Sequence, residues 1–296
     1  MPAWELTLSI SDRRLPKQPG KHRVSWAVYV IIKHVVTDNR TNICKRWQQV
    51  KRVKMIVAYD GTNYCGWQIQ PNGLTIEEVL NRELSRLLKE DITVTGASRT
   101  DSGVHSLGNV CIFDTDTRMP AEKISYALNQ SLPEDIVVQE SCEVSPDFHP
   151  RFSKSRKTYE YRILNRKFRN PTRRLDTYFY HYPLDVDKMN AAAQYIVGEH
   201  DFASFCSSGS QAETTVRTVY SCQVTREADS DIITIRVTGG GFLYNMVRII
   251  AGTLIKIGGS DMPAEAMQEI IEACDRAAAG PTAPANGLTM IGLEYE

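Results

Sequence analysis

No two of the seven cysteines stand as C-x-x-C; they are scattered at positions 44, 65, 111, 142, 206, 222 and 274 of 296 residues. An odd, dispersed set excludes a disulfide framework and the usual zinc spacings, and fits a reducing cytosol. Long hydrophobic runs are missing as well. The longest near the start, Val24–Val36, is broken by Lys33 and His34 and falls short of the ~20 apolar residues a bilayer span needs. It begins too far along the chain, and without a small-residue cleavage site, to be a secretory signal. These absences predict a cytoplasmic protein. Net charge is absent too, because 35 Lys and Arg balance 35 Asp and Glu.

That balance hides an asymmetry. Residues 1–54 carry 12 Lys and Arg against three acids, a net of +9, which leaves residues 55–296 at −9. An acidic body weighs against a nucleic-acid partner, whose binding rests on phosphate contacts, unless cations gather locally. Residues 1–50 have no amphipathic period, and their basic residues are dispersed rather than gathered on one face. A basic RNA-binding arm, a disordered tail and an over-extended translation start compete for this segment. The dispersion favours the last two, with a start near Val50 expected.

What is present is an ordinary globular composition, 42% hydrophobic and 24% charged, over a length that suits one large domain or two modest ones. Arg52–Tyr59 reads as a strand. Thr75 and Glu78 form a T-x-x-E capping box for a helix whose Ile76, Val79, Leu80, Leu84, Leu87 and Leu88 share one face. Strands are expected at Ile92–Thr95 and Asn109–Thr115 around the loop Gly96–Gly108, then a helix over 120–131 and a strand at Ile136–Val144. In the second half, Lys157–Leu164 alternates as a strand. Thr218–Arg226 and Asp231–Thr238 follow as a strand pair, with helices over 187–197, 243–257 and 264–278 and a closing strand at Leu288–Tyr295. Short turns between strands imply antiparallel sheet, and the helices among them imply α+β layering. Gly239-Gly240-Gly241 lacks the context of a nucleotide loop and is expected to let a helix approach the sheet.

The densest cluster of unusual residues is Gly96-Ala97-Ser98-Arg99-Thr100-Asp101-Ser102-Gly103-Val104-His105. A carboxylate, a cation two positions earlier and flanking glycines fit a site presented on a loop. They also fit a hairpin in which Asp101 caps a turn and Arg99 is solvated, the reading that composition by itself favours. Composition does not exclude the site. His105 is expected to hold the loop's shape rather than to titrate, and Trp67 to anchor core or loop.

The ordered motifs go further. Arg99-Thr100-Asp101-Ser102-Gly103-Val104-His105 resembles the R-T-D-x-G-V-H signature of the tRNA pseudouridine synthase A family. Tyr59-Asp60-Gly61 with Gly66-Trp67-Gln68, Phe148-His149-Pro150-Arg151-Phe152, and Tyr159-Glu160-Tyr161 resemble further family motifs. So do Gly198–Phe205, Phe242–Arg248 and Gly287–Met290, all in family order. The resemblance covers about residues 52–296 and omits the first fifty.

The resemblance implies an α+β body of two similar subdomains, 51–156 with the catalytic loop 96–108, and 157–296. Their mainly antiparallel sheets, with helices packed on one side, would meet at an active-site cleft. It implies isomerisation of uridine to pseudouridine in the anticodon stem and loop of tRNA, at positions 38, 39 and 40, with Asp101 as the catalytic carboxylate. Tyr159 would pack on the target base, Arg99 would fill the space left by the flipped nucleotide, and Arg248 would pair with Asp101. The bond exchange involves no redox change and no net hydrolysis, so neither cofactor nor metal is demanded. Relatives act as homodimers, which is the expected partner state besides tRNA, with no membrane partner. Phosphate contacts are expected from Arg99, Arg151 and Arg248. Asn109, where relatives carry Gln, is expected to matter little to the chemistry. Two rivals remain: a non-catalytic RNA-binding module of the same fold, and a carboxylate-dependent glycoside or nucleoside hydrolase. The latter usually needs a second catalytic carboxylate, and Asp60 has no evident role as that acid.

Overall fold

The computed structural model describes residues 50–296 apart from 227 and 229; the expected N-terminal extension, Val50 excepted, lies outside the described residues. Alternation builds the first strand. In β1 (Lys51–Tyr59), Val53, Met55, Val57 and Tyr59 are buried and the residues between them only partly so, which gives the strand one core face. β1 runs antiparallel to β3 (His105–Thr115) on one side and β4 (Ile136–Val144) on the other. Helix α1 (Ile76–Leu88) covers this face. The Thr75 hydroxyl accepts the Glu78 N–H at 3.3 Å, as the capping sequence predicts. Ile76, Val79, Leu80 and Leu84 pack with β1 and with Ile124 and Leu128 of α2 (Ala121–Leu128) in one apolar cluster.

A second cluster forms on β5 (Ser155–Asn165), β8 (Val216–Arg226), β9 (Ile232–Gly239) and β10 (Leu288–Tyr295). Tyr159, Tyr161 and Ile163 of β5 and Ile233, Ile235 and Val237 of β9 meet α3 (Val186–Gln194), α4 (Met246–Gly258) and α5 (Ala266–Glu272). Eleven of the 13 residues of α4 are buried, so this helix lies within the core rather than along its surface. The other face of β5 and β9 is polar: Glu160 pairs with Arg162 at 3.0 Å and Arg236 at 2.6 Å. Helices therefore pack on the apolar side.

Among the described residues the strands form one sheet, ordered β4-β1-β3-β10-β5-β9-β8-β7, where β7 is Gly198–Asp201. The short strands β2 (Thr95–Gly96) and β6 (Tyr178–Tyr180) pair with β3 and β5. All pairs are antiparallel except β10 with β3 and β5 with β6. The architecture is thus a mixed, mostly antiparallel α+β sheet. The two halves of the chain join where Thr289 stands opposite His105 and Met290 opposite Ser106.

Several element bounds differ from expectation. Of the strand expected at Ile92–Thr95, only Thr95 pairs. The Ile92 and Val94 N–H groups go instead to side chains of α1, Ser85 Oγ at 2.9 Å and Asn81 Oδ1 at 2.8 Å. The loop expected over 96–108 is shorter, because β3 already begins at His105. The helix expected to reach residue 131 stops at Leu128, and the Asn129 side chain exchanges two hydrogen bonds with the Val138 backbone of β4. The helix expected over 264–278 is only Ala266–Glu272. The triple glycine does not serve a helix. A Cβ on Gly239 would lie 2.9 Å from the Thr218 carbonyl of the neighbouring strand and 3.1 Å from the Phe242 ring. No helix among the described residues is long and apolar enough to cross a membrane.

Candidate active site

The segment between β2 and β3 is held at nearly every residue. The Ala97 N–H donates to the Val110 carbonyl at 2.7 Å. Buried Asn109 accepts the Ser98 N–H at 3.3 Å and donates to the Ser98 carbonyl at 3.0 Å. Thr100 shares a 2.8 Å hydrogen bond with the Tyr59 hydroxyl, and its carbonyl accepts the Trp67 N–H at 3.1 Å. Trp67 is fully buried, so it anchors core and loop together. The Val104 N–H then closes a turn onto the Asp101 carbonyl at 3.1 Å, with Gly103 at φ +78° in the third position, where L side chains are strained. Gly66, at φ +81°, brings the 60–67 turn so near that a Cβ there would lie 2.4 Å from the Thr100 carbonyl. Asp101 therefore projects from a braced turn.

His105 serves this bracing. Its Nδ1 receives the Gly61 N–H at 3.1 Å, and its Nε2 meets the Leu175 carbonyl at 2.8 Å. Asp60 Oδ1 lies 3.0 Å from the same Nδ1 and accepts both the Thr62 N–H and hydroxyl. Neither His105 nor Asp60 lines the cleft described next.

Both halves of the chain line a cleft of about 880 Å³. Among the described residues lining it, Asp101 is the only carboxylate, against four cations, Arg99, Arg151, Lys157 and Arg248. The acidic average of residues 55–296 thus conceals a locally positive cleft. Arg248, in the first turn of α4, reaches to 3.6 Å from Asp101. Its guanidinium is fixed by the Ala283 carbonyl at 2.8 Å and by Asn245 Oδ1 at 2.7 Å. Asn245 itself stands in the left-handed region at φ 60° and ties its amide to Ser207 Oγ at 3.0 Å. Burial pushes the Asp101 carboxyl above the ordinary carboxylate value, and Arg248 only partly opposes this. A partner guanidinium alone would have held it low; desolvation outweighs that pull.

Tyr159, on β5, belongs both to the core cluster and to the cleft wall, with 8% of its surface exposed. Its ring meets Phe242 edge-on at 5.3 Å. Burial pushes its phenol up to about 12, which the nearby Ser98 hydroxyl opposes and the Asp101 charge reinforces. The Ser98 hydroxyl is buried and makes no hydrogen bond of normal geometry. Arg99 is exposed and reaches across the cleft to Gln211 Oε1 at 3.4 Å. All four residues singled out in the sequence, Asp101, Tyr159, Arg99 and Arg248, thus line one cleft, although only Arg248 pairs with Asp101.

Sequence reasoning passed over three residues. Lys157 shares a strand face with Tyr159 two residues on, so period-two spacing could have found it. Asn245 precedes Arg248 by one helical turn, a spacing equally readable. The orphaned hydroxyl of Ser98 left no sequence signal.

A single carboxylate among four cations, beside an aromatic wall and above a braced turn, defines a cleft for a polyanion bearing a planar ring. The sequence model described as tRNA pseudouridine synthase matches residues 55–153 and 192–296, and the chain belongs to that family. It is 47% identical over 246 residues to the tRNA pseudouridine synthase A of Thermoanaerobacter sp. (strain X514), covering 83% of this chain and all of that protein. It is 46% identical to the protein of the same name from Acetivibrio thermocellus, again over 83% of this chain and all of the relative. The one from Limosilactobacillus fermentum is 43% identical over 248 residues, 83% of this chain and 96% of that protein.

Proposed function

We propose that this chain is a cytoplasmic enzyme that isomerises uridine to pseudouridine in the anticodon arm of tRNA, at positions 38, 39 and 40, with Asp101 as its nucleophile. The observation that carries this reading is the lone carboxylate in a cationic cleft, set in the R-T-D-x-G-V-H turn of a tRNA pseudouridine synthase. The reaction breaks the N1–C1′ bond, turns the uracil and joins C5 to C1′. N1 gains a proton and C5 gives one up, so composition is unchanged. Asp101 supplies a carboxylate oxygen that bonds transiently to the ring or to the ribose and leaves again. Its raised pKa tempers that charge, and Arg248 at 3.6 Å favours the ionised form that attacks.

A stacked uridine cannot reach a carboxylate, so the nucleotide is extruded at a cost of a few kcal/mol and held by stacking and edge contacts. Tyr159, neutral because its phenol titrates so high, offers the apolar surface for the base. Arg99, exposed at the rim, suits the space that the extruded nucleotide vacates. The protein acts as a homodimer with one tRNA lying across both subunits, and each subunit draws its cleft from 51–156 and 157–296.

The test is release of tritium from C5-labelled uridine in tRNA. Wild type should release it, and Asp101→Asn should lose turnover almost completely while binding tRNA about as well. Free uracil among the products would instead identify a hydrolase. That reading is disfavoured because Asp60, the other motif carboxylate, is tied to Thr62 and His105 away from the cleft. Binding with no release of tritium would identify a silent RNA-binding module.

A further inference from the structure

Two cations of the cleft, Arg151 and Lys157, have no part in the bond exchange. Each gives one N–H to the loop backbone: Arg151 Nε to the Gly96 carbonyl at 2.7 Å, and Lys157 Nζ to the Ala97 carbonyl at 3.3 Å. These carbonyls are consecutive and just precede the Asp101 turn, so the two heads stand together on one wall of the cleft. Among the described residues neither has a carboxylate within ion-pair distance. The Nη groups of Arg151 donate to no described residue, and Lys157 has ammonium protons to spare.

The two charges repel each other, and Lys157 is half-buried besides, although Arg151 is exposed. Burial first, and then the Arg151 guanidinium, pulls the Lys157 ammonium below its usual value; burial and then Arg99 do the same to Arg151. Bracing two carbonyls requires only neutral donors, which glutamine could supply. Two partly desolvated cations side by side exceed that need, and they become favourable when an anion lies between them. A guanidinium offers the planar fork for phosphate oxygens, and an ammonium a point charge.

We propose that Arg151 and Lys157 form a phosphate clamp that grips one backbone phosphodiester adjoining the extruded uridine and so sets how deeply that nucleotide enters the cleft. This rests on the reading that the cleft takes RNA. The test uses the full chain and a synthetic anticodon stem-loop RNA, with binding measured in the absence of turnover. A neutral methylphosphonate replaces, one at a time, each of the two linkages flanking the target uridine. In wild type, one of the two replacements should weaken binding about tenfold, the size of one charge-assisted contact.

Lys157→Gln keeps a donor for the Ala97 carbonyl and removes the charge. It should leave Tm unchanged, weaken binding of the unmodified RNA about tenfold and reduce the salt slope by about 0.7–0.9. It should also lose most of the penalty at the sensitive linkage, whereas Lys157→Arg should restore it. Native-like binding by Lys157→Gln, an undiminished methylphosphonate penalty in that variant, or no penalty at either linkage in wild type would overturn the clamp. A wild type that binds with this pattern but converts no uridine would overturn the proposed activity and leave the clamp standing. A wild type that does not bind the RNA overturns both.

Discussion

Replacing Arg248 with glutamine takes away the one cation within ion-pair distance of Asp101 among the described residues, and keeps a donor for the Ala283 carbonyl. Burial raises the carboxyl and Arg248 opposes it, so the substitution should raise it further. At 3.6 Å, Coulomb's law gives about 1 kcal/mol in bulk water and about 5 kcal/mol at an effective dielectric of ~20. The two side chains keep only 18% and 22% of their surface exposed, so screening is partial and the pair lies between these limits, at ~2 kcal/mol. At ~1.4 kcal/mol per pH unit, the acid limb of kcat/KM should move up by about 1.5 units. The sign is fixed: the reaction uses the ionised carboxylate, so activity is lost as pH falls through the carboxyl's pKa, and a higher pKa loses it sooner. Tritium release from C5-labelled tRNA, followed from acid to alkaline pH, reads the limb directly. A plateau that falls while the limb stays in place would refute the reasoning and assign Arg248 to the RNA.

Tyr159→Phe should fold as wild type and retain most turnover, because the ring rather than the hydroxyl supplies the surface for the base, whereas Tyr159→Leu should lose turnover with that surface; single-turnover rates separate the two. Gly66→Ala should cost about 2–4 kcal/mol and lower Tm by roughly 5–10 °C, since a Cβ there meets the Thr100 carbonyl at 2.4 Å from a left-handed backbone. Asn245→Gly should keep the backbone at φ 60° and change stability by less than about 1 kcal/mol, yet free the Arg248 guanidinium. Its acid limb should shift in the same direction as that of Arg248→Gln, by less.

Much of the fold was legible because its signals are local. The alternation of Val53, Met55, Val57 and Tyr59 fixes a strand face, and Thr75 with Glu78 fixes where α1 begins. The strands β6 and β7, three and four residues long, are too short to display a period, and their pairing is decided by distant partners. Ile92 and Val94 look like strand residues, yet the side chains of Ser85 and Asn81 capture their N–H groups, a tertiary outcome that no local pattern encodes. At the cleft, motif order placed Asp101, Tyr159, Arg99 and Arg248 together. The balance acting on Asp101 was not legible, because a neighbouring guanidinium can be inferred from a motif and the extent of desolvation cannot.

Hydrogen bonding from β4 to β7 runs without a break beneath the cleft, through the pairing of β10 with β3. Such a floor cannot open like a jaw without tearing strands apart. Access to the cleft is then left to the loops at its rim, 68–70 and 209–212, which belong to no strand.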